Sequence, residues 1–278
     1  MSSELIAQLL ALAPFALALL VAGLIAGGIG GLFGVGGGAV LVPVLYQFFI
    51  FLEVDEAVRM QLAVGTSLGI IVPTSLRSFQ SHLKHEAVDI PYLRKISIWV
   101  IAGVIGGSLV ATIVSGAQLR ALFAVLAMLM ALKMAFGRSD LQIWEKFPPT
   151  PLFQGLGTGI GFFSVLMGIG GGVFNNVLMT LFGRSIHVAV ATSSGMGVLI
   201  SLPGVLGFVL AGLGSSGLPV FSLGFVNLLG VLIVIPASIL AAPYGARLAH
   251  KLSKNMLQKS FALFLMLVSA RFFYSLYA

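Results

Sequence analysis

The sequence predicts an all-α polytopic membrane protein. It is expected to hold two inverted-topology repeats of about five helical segments each, with Gly-rich broken or re-entrant hairpins. Three observations predict this. Of the 278 residues, 59% are hydrophobic and only 8% charged. The charges sit in short clusters between long uncharged runs, 5–52, 96–119, 147–183 and 185–246. Glycine-rich and hydroxyl-bearing motifs of the first half recur in the same order in the second.

An ordinary soluble domain is about 25% charged. The 15 basic and 8 acidic side chains here cannot cover a soluble fold of this size. A mean hydropathy of +1.11 excludes a disordered chain. Most of the surface therefore faces lipid. The net charge of +7 follows from basic residues gathered in cytoplasmic loops. No Arg-rich stretch alternates with aromatics, so nucleic acid is not an expected partner. There is no cysteine, which removes disulfides, thiolate catalysis and Cys-based metal sites. The first basic residue is Arg59, so the N-terminus lacks the positive region of a signal peptide.

The elements follow in order. An uncharged run places the first segment at 15–33. Gly34-Val35-Gly36-Gly37-Gly38 joins it to a short second segment, 39–52. The acidic cluster Glu53, Asp55 and Glu56 precedes the third, 60–76. A polar loop with Arg77, Lys84, Arg94 and Lys95 separates it from the fourth, 96–115. The fifth is 119–136, followed by the longest polar stretch, 137–151. The second half repeats the scheme at 152–167, 173–182, 188–211, 218–242 and 257–274. These are helices, because 100–111 and 121–131 are apolar on every side, whereas barrel strands alternate. The seventh segment is too short for a full crossing at 1.5 Å per residue, and the second is marginal. Each is joined to its predecessor by glycine, which suggests a hairpin with its tip inside the membrane.

Gly34-Val-Gly36-Gly37-Gly38 recurs as Gly168-Ile-Gly170-Gly171-Gly172. Ala63-Val64-Gly65-Thr66-Ser67 recurs as Ala189-Val190-Ala191-Thr192-Ser193. Leu119, Phe123, Ala124 and Lys133 match Leu257, Phe261, Ala262 and Arg271. The organisation expected is an N-terminal membrane repeat (1–137), a cytoplasmic linker (138–151) and a C-terminal membrane repeat (152–278). With the 77–95 loop in the cytoplasm, Arg138, Lys146, Arg184, Arg247, Lys251 and Lys254 also fall inside. Both termini fall outside, and an odd number of segments per half inverts the halves.

Glycine lets a ligand approach backbone N–H groups closely, and at a helix start those groups are unpaired and the dipole is positive. Two facing tips, Gly36, Gly37 and Gly38 with Gly170, Gly171 and Gly172, would bind an anion without any charged side chain. The alternative is close helix packing, which also suits Gly27-xxx-Gly31 and Gly103-xxx-Gly107. Thr66, Ser67, Thr192 and Ser193 can donate to anion oxygens, or bond their own preceding turn. Asn175 and Asn176 follow the second tip and would select the substrate, or join two helices. Arg77 and Arg184 flank these segments and could gate or attract an anion, or simply mark the cytoplasmic side.

No Asp or Glu lies inside an apolar segment, which disfavours a proton relay or a cation site and favours an anion or neutral solute. Lys133 and Arg271 sit near segment ends and are expected to snorkel. Gly34 to Ala39 resembles a dinucleotide fingerprint, but an apolar helix precedes it instead of a strand. His82 and His85 lie in a polar stretch and are too few for a metal set. No Ser-His-Asp triad can be assembled, so no enzyme, cofactor or metal is expected.

The duplicated GxGGG, its continuation Val42-Pro43-Val44-Leu45, the Ala-Val-x-Thr-Ser run in both halves and the basic third loop resemble the TauE/SafE family. These are sulfite and organosulfonate exporters within the toluene-sulfonate uptake permease group. The resemblance covers nearly the whole chain. It departs at Asn175-Asn176-Val177, where the first half has Val40 to Pro43 and the second lacks the proline. It implies an inner-membrane exporter of a small sulfur anion, working by alternating access. The alternatives from the residues are an anion channel or an importer of a related anion, with an embedded enzyme or accessory subunit behind them.

Overall fold

The computed structural model describes the backbone of residues 3–33, 37–136, 150–251 and 254–277. Side chains are described within those spans, apart from 3–13, 15, 31–33, 245–247, 249–251, 254–255, 257–258, 261 and 277. The described chain is all-helical save for one short hairpin. The order is α1 (Ser3–Phe33), α2 (Gly38–Phe51), α3 (Glu56–Lys84), α4 (Ile90–Ile113), α5 (Gly116–Phe136), α6 (Thr150–Leu166), α7 (Gly172–Leu181) and α8 (Ile186–Gly212). Then come β1 (Ser222–Leu223), β2 (Val226–Asn227), α9 (Leu228–Lys251) and α10 (Lys254–Tyr277). Helices α3, α4, α5 and α8 are each long and apolar enough to cross a membrane.

Local chemistry sets the boundaries. Asp55 caps α3, accepting from the Ala57 N–H at 2.9 Å. Asp89 caps α4, accepting from the Tyr92 N–H at 3.1 Å, with Pro91 in the first turn where its missing N–H costs nothing. Ser185 caps α8. Helices α2 and α7 have no side-chain cap. Their N-caps are Gly37 (φ 75°) and Gly171 (φ 69°), in the left-handed region that favours glycine. With 14 and 10 residues, they reach about 21 Å and about 15 Å, short of the roughly 30 Å apolar core of a bilayer.

Several expected boundaries shift: α1 begins at Ser3 instead of 15, α4 at Ile90 instead of 96, and α9 runs to Lys251 instead of 242. The third apolar segment was expected over 60–76, but α3 runs from Glu56 to Lys84, because a capped helix continues past its apolar stretch. His82 therefore sits in its last turn. The ninth segment was expected over 218–242, yet its first part forms the β1–β2 hairpin, which turns at Gly224 (φ 54°). Asn227 then starts α9 as its cap, accepting from the Gly230 N–H at 2.8 Å.

The halves interlock. Helix α1 packs on α9, α4 on α6, α3 on α8 and α5 on α10. Small residues permit the closest approaches. A side chain at Gly27 would strike the Ser238 backbone, one at Gly103 the Thr158 carbonyl, and one at Gly161 the Val100 carbonyl. The packing expected of Gly103-xxx-Gly107 is thus made. The core gathers Val40, Val42, Tyr46 and Phe49 of α2 with Leu62, Val64, Leu68 and Ile71 of α3. Outward faces carry apolar stripes at helical spacing, Ile98, Ile105 and Leu109 on α4 and Leu202, Leu206 and Leu210 on α8. Such faces suit lipid as solvent.

Candidate functional site

The two glycine tips meet inside the bundle. A side chain at Gly38, the first residue of α2, would lie 2.7 Å from the Gly168 carbonyl oxygen and 2.8 Å from Ile169 Cα. The contact is backbone to backbone, with Ile71 of α3 wedged beside it. Ser67 ties the halves at the same place, its hydroxyl donating to the Gly168 carbonyl at 2.8 Å. Gly36 lies outside the described residues, as does most of the expected 138–151 linker.

The backbone of the second tip is rich in unused donors. The Ile169 N–H donates to the Ser164 carbonyl at 3.0 Å, and the first bond of α7 runs from the Asn175 N–H to the Gly171 carbonyl at 2.9 Å. Between them, the N–H groups of Gly170, Gly171, Gly172, Val173 and Phe174 meet no protein acceptor among the described residues. Four of the five belong to buried residues, Phe174 being half-buried. Runs of buried, unpaired N–H groups are rare in folded proteins, and at a helix start they form an anion-binding concavity. In the first tip, Val40 and Leu41 both bond back to the Gly37 carbonyl, leaving the Gly38 and Ala39 N–H groups without a described acceptor.

The side chains singled out by sequence divide by how their hydrogen bonds are spent. Ser193 accepts from the Asn175 amide nitrogen at 2.7 Å and donates to Asn176 Oδ1 at 2.7 Å. Asn175 Oδ1 accepts from the Tyr92 hydroxyl at 2.7 Å. Ser67, Ser193 and Asn175 are therefore committed to the protein. Thr66 and Thr192 are fully buried and act as acceptors, from the Asn227 and Asp89 backbone N–H groups at 2.9 Å each. Neither hydroxyl hydrogen has a described acceptor, so both threonines retain a donor. Asn176, with its oxygen used, presents its amide N–H₂.

Arg184 is exposed and pairs with Asp89 Oδ2 at 3.1 Å. Asp89 thus caps α4, binds Thr192 through its backbone and holds Arg184. Arg77 is exposed on α3.

Several residues escaped the sequence reasoning. Tyr92, Asp89 and Asn227 contact site residues far away in sequence, and nothing local marks them. Ser164 of α6 is fully buried, and its hydroxyl has no partner among the described residues. Arg120 did carry a signal, a basic residue within an apolar segment. It is 5% exposed, donates to the Tyr46 hydroxyl and to Glu56 Oε1 at 2.6 Å each, and lies over the Tyr46 ring. Among the described residues no group of three or more His, Asp or Glu side chains is placed to hold a metal ion.

Comparison with known proteins agrees with this architecture. The model of the sulfite exporter TauE/SafE family matches residues 19–272. A probable membrane transporter protein of Haemophilus influenzae is 34% identical over 260 residues, 93% of this chain and 98% of the relative. One from Methanocaldococcus jannaschii is 29% identical over 243 residues, 86% and 88% of the two chains. One from Bacillus subtilis is 27% identical over 275 residues, 92% and 96% of the two chains. No solved structure matches the chain. A family match over nearly the full length, on an all-α polytopic fold with near-full-length transporter relatives, makes this chain a member of the TauE/SafE sulfite exporter family and a membrane transporter.

Proposed function

We propose that the protein exports a small sulfur-containing anion, such as sulfite or an organosulfonate, across the cytoplasmic membrane by alternating access. The observation that carries this reading is the run of unpaired N–H groups from Gly170 to Phe174, set where the two glycine tips touch. Oxyanions need several donors at short range, and fixed backbone dipoles supply them without reorganisation. The first tip adds the N–H groups of Gly38 and Ala39, which have no described acceptor. Thr66 and Thr192 add hydroxyl donors, and Asn176 adds amide donors whose orientation Ser193 and Asn175 fix. Ser67 acts by joining the tips.

In this proposal the halves are inverted, both termini are periplasmic, and the Asp89–Arg184 pair lies at the cytoplasmic mouth. Arg77 and Arg184 raise the local anion concentration there. The membrane potential supplies the driving force. Expelling one negative charge from a negative interior releases ~2.3 kcal/mol per 100 mV, so export needs no intramembrane carboxylate.

The test is flux of sulfite and methanesulfonate in proteoliposomes of the purified protein under an imposed potential. Flux should scale with a potential of the sign that drives anions out of the protein's cytoplasmic side. A flux of charged substrate indifferent to potential would exclude electrogenic export, and unitary currents in a planar bilayer would replace the carrier by a channel.

A further inference from the structure

We propose that Ser164 of α6 is a substrate-binding residue, completing with the N–H groups of Gly170 to Phe174 a cradle of donors that accepts a monovalent oxyanion. The proposal rests on the anion-export reading above and names a further residue and the charge state of its substrate.

Ser108, Ser164 and Ser201 are buried serines whose hydroxyls have no partner among the described residues, and Ser164 is the one set against the Gly171 cap. It is fully buried, and its hydroxyl bonds neither the preceding turn of α6 nor any other described group. Serines in membrane helices commonly donate to the carbonyl four residues back, and this one does not. A buried hydroxyl without a partner is a cost that packing alone does not require. Its own carbonyl is engaged by the Ile169 N–H, so the turn holding it is fixed while the hydroxyl stays free. That hydroxyl oxygen lies against the helix start. The Ser164 oxygen lies 3.4 Å from where a Gly171 side chain would stand. Gly171 is the left-handed cap of α7, so the oxygen sits beside the unpaired N–H groups.

The charge state follows from what surrounds the tip. The other atoms nearest Gly170 and Gly171 belong to Ile71, Ser75, Met196, Gly197 and Ile200, none of which is charged. Desolvating a charge rises steeply with its magnitude, and none of these nearest neighbours carries a charge to offset it. One negative charge suits such a site, and two do not. The polar groups that face the tip, backbone N–H groups and serine hydroxyls, can all donate to an oxyanion. An alkanesulfonate carries one negative charge at any physiological pH, and hydrogen sulfite carries the same single charge.

The experiment compares wild-type protein with S164A and S164T. In proteoliposomes, S164A should raise the KM for methanesulfonate roughly tenfold, the loss of one hydrogen bond to a charged group. S164T, which keeps the hydroxyl, should restore most of it. In detergent without anion, S164A should melt no lower than wild type, because the hydroxyl has no partner to lose. The rise in melting temperature with methanesulfonate should shrink in S164A. Wild-type flux of sulfite should fall as pH rises and the dianion replaces hydrogen sulfite, while methanesulfonate flux stays level. An S164A variant with wild-type KM and wild-type stabilisation by methanesulfonate overturns the role of Ser164. Sulfite flux that grows with the dianion overturns the charge preference. A wild-type protein that neither moves nor is stabilised by either anion defeats the export reading itself, and this proposal with it.

Discussion

The hydroxyl of Thr192 accepts a hydrogen bond from the backbone N–H of Asp89 at 2.9 Å, across the boundary between the two halves. Thr66 holds the Asn227 N–H at the same distance. Each threonine lies on the third helix of its half, and each partner caps the fourth helix of the other half.

The Thr66 link is buried and the Thr192 link part-buried, and T66A and T192A each leave a backbone N–H without that partner. Each is expected to cost about 1–3 kcal/mol, read as a lower melting temperature in detergent. T192S and T66S keep the oxygen and should recover most of the loss. Equal melting of T192A and wild type would show that the link contributes nothing.

Asp89 separates capping from charge. D89N keeps a good cap but removes the ion pair with the exposed Arg184, and should cost under about 1 kcal/mol. D89A loses the cap as well and should cost about 1 kcal/mol more. Thermal melting of the two side by side checks the order, and D89N falling as far as D89A would contradict it.

The relay Tyr92–Asn175–Ser193–Asn176 is expected to govern selectivity. Y92F frees Asn175 Oδ1 and loosens the amide pair. It should change the ratio of KM values for methanesulfonate and sulfite more than it changes maximal flux. S193A strands two amides at once and should melt lower than Y92F. An unaltered ratio of KM values in Y92F would remove the relay from substrate choice.

Glycine positions differ sharply. G38A would drive a methyl into the Gly168 carbonyl and G103A into the Thr158 carbonyl, so both should fold poorly. Gly155 of α6 is exposed and meets nothing within 4 Å. G155A should leave melting and flux unchanged. Poor expression of G155A alongside sound G38A would reverse the assignment.

Arg120 and Glu56 share a pair unequally. The arginine side chain is 6% exposed and the carboxylate 62%. E56A is therefore expected to cost about 1 kcal/mol or less. R120A should cost more, because it strips the Tyr46 hydroxyl of its donor and opens a cavity. Melting temperatures in detergent order the two.

Much of the architecture was legible because lipid imposes it. Uncharged runs marked most helices, and the duplicated glycines marked both tips. Gly37 and Gly171 need left-handed backbone, and few other residues supply it. The ninth segment misled because 218–227 is as apolar as a helix, and only the Asn227 cap separates hairpin from helix. The hydroxyl motifs were visible in sequence, but their bonding was not. Thr66 and Ser67 are neighbours with opposite duties, one accepting from Asn227 and the other donating to Gly168. Tyr92 and Ser164 were invisible because a partner far along the chain, or the lack of one, appears only after folding.

The exchange of partners between halves also dictates an order of biogenesis. Helix α1 emerges from the ribosome well before α9, yet the groove it occupies belongs to α9. Until then Gly23 and Gly27 present bare backbone to the insertion machinery. The first half cannot finish maturing during its own synthesis, and a nascent chain stalled before α9 is a substrate for membrane quality control.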